Sequence, residues 1–134
     1  MWLLRLLTAA GLAVDVYVHA ELAEAYDPVG TGISEGTLFR AQAAVAALAA
    51  VLVLVSGRSR WVWAFAFLVA ASALGAVLLY RYVDVGSLGP LPNMHEPAWY
   101  PKKTASAVAE AVATLGAAVG FVTASRYRTP SGRA

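Results

Sequence analysis

Two carboxylates stand where a carboxylate is costly. Asp15 and Glu110 interrupt apolar stretches long enough to cross a bilayer, and an acid at that depth needs a partner, a proton or a ligand. His19 follows Asp15 by four residues and so shares its face of a helix, while Arg40 and Gln42 lie near the start of another apolar stretch. Lys103, Ser106 or Ala107, Glu110 and Thr114 share a face of a further helix by the same spacing. Such a set can hold a proton, a cation or a small polar ligand. It can equally be an interhelical network whose hydrogen bonds contribute about 1 kcal/mol each. His19, His95 and Glu96, with Asp15, also offer metal-ligand types, although no pair has the spacing of a zinc motif.

These residues need helices to position them, and the composition says what kind. The chain has 134 residues, 60% hydrophobic and 13% charged, with a mean hydropathy of +0.64. Soluble domains carry about 25% charge, so the reading is an all-α integral membrane protein with a single transmembrane domain over 1–134. Zero cysteines exclude disulfides, thiolate metal sites and cysteine nucleophiles. Segments 2–20, 37–56, 61–80 and 104–125 each have the roughly 20 apolar residues that a span requires. The first is a span rather than a signal peptide with a cleavage site at Ala23-Glu24-Ala25, because Asp15 breaks the apolar run such a peptide needs.

The connections predict an antiparallel four-helix bundle with both termini cytoplasmic. Arg5, Arg58, Arg60, Arg126, Arg128 and Arg133 fall on the inner side, against Arg40, Arg81, Lys102 and Lys103 on the outer. Six acids, Glu21, Glu24, Asp27, Glu35, Asp84 and Glu96, fall outside. Trp2, Trp61, Trp63 and Tyr127 mark the inner boundary, and Tyr17, Tyr80, Tyr82, Trp99 and Tyr100 the outer. Gly57-Arg58-Ser59-Arg60 is a tight inner turn making the second and third helices neighbours. Outer loop 21–36 begins by continuing the first helix and breaks at Asp27-Pro28 and Gly30-Thr31-Gly32. Outer loop 81–103, with Pro90, Pro92, Pro97 and Pro101, reads as an extended cap.

Depth arithmetic brings the polar residues together. Asp15, five residues before the end of the first span, and Glu110, six after the start of the fourth, lie about 7 to 9 Å below the outer boundary at 1.5 Å per residue. Arg40 and Gln42 lie about 4 to 8 Å below it by the same rise. The acids should therefore face the interior and meet Arg40, His19, Lys103 or water. Gly116-Ala-Ala-Val-Gly120 is a close-packing motif serving internal contacts or another subunit. The third helix, uncharged and aromatic at Trp61, Trp63, Phe65 and Phe67, reads as the most lipid-facing.

Val14-Asp15-Val16 resembles Val83-Asp84-Val85, and the run from Glu35 to Arg40 resembles that from Glu96 to Lys102, which reads as a two-hairpin pseudo-repeat. Beyond the chain itself, the Ala, Val, Gly and Arg bias, with Tyr17-Val-His19 and Gly36-Thr-Leu-Phe-Arg-Ala-Gln42, resembles small four-helix membrane proteins of uncharacterised function from high-GC actinobacteria. The likeness covers the first half best. It implies a source and a topology, and it carries over no site residues.

Enzyme signatures are missing: the chain has no G-x-S-x-G, H-E-x-x-H or phosphate-binding glycine loop. No cofactor is expected, haem included, and the basic tail is too short for nucleic acid. It reads instead as a topology anchor meeting anionic lipid head groups. The expected function is that of a non-catalytic accessory or scaffold subunit of a membrane or respiratory assembly. Its partners would be the lipid bilayer and other membrane-protein subunits or further copies of itself. The alternative is a small outward-facing binding or transport protein in which Asp15, His19, Arg40, Gln42, Lys103 and Glu110 hold a cation, a proton or a small polar ligand.

Overall fold

Four helices make up most of the chain in the computed structural model, which describes residues 2–29, 33–87 and 91–131, with side chains as far as Ser125. They are α1 (Trp2–Tyr26), α2 (Glu35–Ser56), α3 (Arg60–Tyr82) and α4 (Pro101–Ser131). The described residues contain no strand. Each helix includes a segment long and apolar enough to cross a membrane, that of α4 being Pro101–Ser125. Gly30-Thr31-Gly32, Pro90 and Arg133 lie outside the described residues, as do the side chains of Arg126, Tyr127 and Arg128.

The helices run further than their apolar cores. α1 continues past residue 20 to Tyr26, and α2 starts once Ser34 caps it, its Oγ accepting the Thr37 amide at 3.0 Å. α4 opens at Pro101, a position where proline's missing N–H costs nothing. The four form an antiparallel ring in chain order, closed by α4 packing against α1. Trp2, Arg60 and the 57–59 turn mark one end, called the terminal end, and the described residues of the 27–34 and 83–100 connections mark the other, the loop end. α2 and α3 are neighbours, as their tight turn requires, yet they pack the least of the four adjacent pairs.

Small residues make this packing close. Ala46, Ala49, Ala66, Ala70, Ala113 and Ala117 are all fully buried, while Leu3, Leu48, Val51, Val55, Leu68 and Leu115 are exposed. Large apolar side chains outside and small ones inside suit helices solvated by lipid, where association depends on close contact rather than on hiding apolar area. At Gly11 an added methyl group would stand 2.7 Å from the Ala109 carbonyl oxygen of α4. Gly116 packs against Thr8 of α1, and Gly120 against the Trp63 ring of α3. Both glycines of the close-packing motif therefore serve contacts within the chain.

Three expectations are corrected here. Trp63 is fully buried, its indole Nε1 donating to the Gly57 carbonyl at 2.7 Å, so it plugs the terminal end rather than anchoring an interface. With Ala66, Val69, Ala70 and Ala73 it gives α3 a buried stripe, and α2, with 22% of its span buried against 28% for α3, is the more lipid-facing helix. The repeated sequence motifs also occupy unlike places. Asp15 is buried within α1, whereas Asp84 lies exposed beyond the end of α3, where its Oδ1 accepts the Gly86 amide. Glu35 begins α2, but Glu96 precedes α4 by five residues.

Candidate functional site

The close approach at Gly11 sets the site. Asp15 lies one turn beyond Gly11 on α1, and Glu110 directly follows Ala109 on α4, so the crossing that Gly11 permits delivers both carboxyls to one level. Both residues are completely buried. His19, one further turn along α1, lies between the Asp15 carboxyl and the loop end. One potential ligand atom from each of Asp15, His19 and Glu110 lies within 4.8 Å of the others.

Each carboxylate is held through one oxygen. Gln42 of α2 donates its Nε2 hydrogen to Asp15 Oδ2 at 2.6 Å. Ser106, one turn before Glu110, donates to Glu110 Oε2 at 2.8 Å. The other oxygens face inward: Asp15 Oδ1 lies 2.6 Å from His19 Nδ1, and Glu110 Oε1 has no hydrogen-bond partner among the described residues. His19 Nδ1 also lies 3.0 Å from the Asp15 carbonyl oxygen. A nitrogen facing two acceptor oxygens carries hydrogen, so Nδ1 is the protonated position of the neutral ring. The ring is fixed from outside by Phe39, whose edge-to-face contact has a centroid distance of 5.0 Å.

A cavity of about 240 Å³ lies on the loop-end side of this cluster. His19, Gln42 and Ser106 are its polar floor, and the same three side chains touch the carboxylates behind them. Leu38, Phe39, Val77 and Tyr80 wall it between α2 and α3, where those helices pack least. Glu35, Glu96 and Lys103 stand among its charged lining residues. The arrangement is an apolar recess with a few convergent polar groups, the form a small-ligand or ion entry route takes.

The other sequence-derived candidates are drawn elsewhere. Arg40 makes a two-pronged pair with Asp27, Nη1 to Oδ1 at 2.6 Å and Nη2 to Oδ2 at 2.8 Å. Arg40 and Gln42 are two residues apart, roughly 200° around a helix, so only one of them can face Asp15. Lys103 lies two turns from Glu110 and donates to the carbonyls of Glu96 and, at 3.0 Å, Ala98. His95 donates Nδ1–H to the Tyr80 carbonyl at 2.8 Å. His19, His95 and Glu96 are therefore not gathered around one point. Among the described residues, the one such group of three is Asp15, His19 and Glu110.

Sequence reasoning missed the contact that closes the loop end. The Tyr26 hydroxyl at the end of α1 bridges both oxygens of Glu96, at 3.0 and 2.8 Å, and lies 3.0 Å from the Tyr100 hydroxyl. The Glu96 amide donates to the Tyr80 carbonyl at 2.9 Å, so the chain around Glu96 is fastened to the ends of α1 and α3. Burial pushes the Tyr100 hydroxyl to a higher pKa than usual, keeping it a neutral donor. The only local signal was the aromatic cluster, because Tyr26 and Glu96 are 70 residues apart. Comparison with protein-family models, with curated proteins and with solved structures finds no match.

Proposed function

We propose that this chain is a multi-pass membrane protein that binds a proton or a cation at the Asp15–His19–Glu110 cluster, admitted from the loop end through the adjoining cavity. The observation that carries this reading is a pair of fully buried carboxyls with no arginine or lysine paired to either among the described residues. A charged group at the centre of a span costs about 2.5 to 3.5 kcal/mol on insertion scales. Burying two acids side by side, with an imidazole as the one basic group beside them among the described residues, makes sense when positive charge arrives from outside the chain. The accessory-subunit role expected from sequence rests on missing enzyme signatures, whereas the binding role has a positive structural feature. No catalytic step is involved.

The loop end faces outward in this proposal and both termini are cytoplasmic. Support comes from the arginines near the terminal end and from the acids of the 27–34 and 83–100 segments. A reporter fused after Ala134 should read as cytoplasmic, and an extracytoplasmic signal would reverse the orientation.

Binding is tested by thermal unfolding of the purified protein in detergent across pH and across Na⁺, K⁺, Mg²⁺, Ca²⁺, Mn²⁺ and Zn²⁺. An ion at 100 times its Kd stabilises by about 2.7 kcal/mol. The wild type should respond to at least one of these, and Asp15→Asn with Glu110→Gln should remove that response. A folded double variant that responds like the wild type would remove the carboxyls from the site.

A further inference from the structure

We infer that the ion is a divalent first-row transition metal of the Zn²⁺ type, ligated by Asp15, His19 and Glu110. This inference rests on the binding reading above and adds the chemistry of the ligand. Three features carry it. The first is donor identity: two carboxylates and one imidazole suit Zn²⁺, Mn²⁺ or Fe²⁺, whereas Mg²⁺ and Ca²⁺ favour all-oxygen shells.

The second is spacing. Bonds of about 2.0 to 2.2 Å place two ligand atoms at most about 4.4 Å apart across one metal. The observed group lies within 4.8 Å, so small side-chain adjustments bring all three onto one ion.

The third feature is the surrounding shell. Gln42 and Ser106 hold the far oxygen of each carboxylate, as the outer-shell donors of metal sites do. This leaves Oε1 of the completely buried Glu110 with no donor among the described residues and only the facing Asp15 carboxyl to share a proton with. Charge points the same way. Once both carboxyls give up their protons as the ion enters, they carry two negative charges beside a neutral imidazole, and one divalent ion cancels both. An ion at His19 Nδ1 displaces the proton that this nitrogen shares with Asp15, and the neutral ring then takes the other tautomer, with its one hydrogen on Nε2. His19 lines the cavity, so the ligand nearest the loop end is also the first one an entering ion meets.

The experiment is Zn²⁺ and Co²⁺ binding to the full chain in detergent, by equilibrium dialysis with metal analysis and by X-ray absorption of the bound metal. One metal per chain is expected, with one imidazole nitrogen and oxygen donors. Asp15→Asn, His19→Gln and Glu110→Gln should each weaken Zn²⁺ at least 100-fold, and Ser106→Ala should do so 10- to 100-fold. The exposed-loop variant Asp84→Asn should bind as the wild type does. Should a ligand variant fail to fold, the wild-type absorption spectrum still decides the point. A spectrum without imidazole, or affinity unchanged in the folded variants, overturns the inference. If no transition metal binds but a carboxyl-dependent response to protons, Na⁺ or Ca²⁺ persists, the metal assignment fails and the broader reading stands. If neither appears, both fall.

Discussion

Replacing Gly11 and Gly75 by alanine should have opposite effects, because one faces a helix and the other faces open space. A methyl group on Gly11 would stand 2.7 Å from the Ala109 carbonyl oxygen, about 0.7 Å inside an ordinary carbon–oxygen contact of about 3.4 Å. That oxygen belongs to a helix backbone and cannot rotate aside, so α1 and α4 must separate. Overpacking of this kind costs about 1 to 3 kcal/mol, and the gain in helix propensity, about 0.8 to 1.0 kcal/mol, offsets only part of it. A methyl on Gly75 meets nothing within 4 Å and collects the propensity gain alone. Equilibrium unfolding in mixed micelles should therefore place Gly11→Ala about 1 kcal/mol below the wild type and Gly75→Ala level with it or above. The functional consequence follows from position. Asp15 lies one turn from Gly11, so separation of the helices spreads the cluster beyond 4.8 Å, and Zn²⁺ affinity should fall at least tenfold in Gly11→Ala alone. Equal shifts in the two variants would refute the claim that this crossing sets the site.

Trp63→Ala should cost about 3 to 5 kcal/mol in the same unfolding assay, as emptying a fully buried indole site does. Arg40→Gln should raise the Asp27 pKa, because the arginine's hydrogen bonds hold that carboxyl below its usual value. The Arg40–Asp27 contribution to stability is present above the ordinary aspartate pKa and fades as pH falls through the depressed one, so an NMR titration of Asp27 should lose its downward shift in the variant. Tyr26→Phe removes the hydroxyl that joins α1 to Glu96; proteolysis within 83–100 should quicken while Zn²⁺ binding holds within a few-fold. Unchanged cleavage would mean that this hydroxyl does not fasten the segment.

How much was legible depended on whether a signal was local. Four apolar runs and the pairing of Asp15 with His19 follow from spacing along one helix, and so does the placing of Ser106 beside Glu110. The common level of Asp15 and Glu110 followed from counting residues inward from the span ends. Direction around a helix was harder. Arg40 and Gln42 are equally polar and nearly equally deep, and only the phase of α2 against α1 sends Gln42 inward and Arg40 out to Asp27. Trp63 shows the same limit from the apolar side. A tryptophan near a span end is usually interfacial, but Gly120 on a helix distant in sequence leaves a slot that its ring fills. The Tyr26–Glu96–Tyr100 closure joins the end of α1 to a connection 70 residues away with no shared periodicity, so nothing along the chain announced it.

The two ends of the bundle differ in a way that separates binding from passage. On the loop-end side of the cluster lie a cavity and three polar side chains. On the terminal side lie Leu12, Val53, Trp63, Ala113 and Ala117, all fully buried and closely packed. Thr8, also fully buried, has a hydroxyl without a hydrogen-bond partner among the described residues, and it packs against Gly116. An ion stripped of water on that side would meet hydrocarbon and one hydroxyl, a poor exchange for two carboxylates and an imidazole. Passage would require α1 and α4 to part at Gly11, which faces the Ala109 carbonyl, and at Gly116, which faces the Thr8 side chain. On the proposed binding reading, the arrangement suits holding an ion at a site approached from one side. Thr8→Val should leave Zn²⁺ binding intact, since that hydroxyl belongs to the dry half; a tenfold loss would mean that the polar layer extends deeper than Asp15.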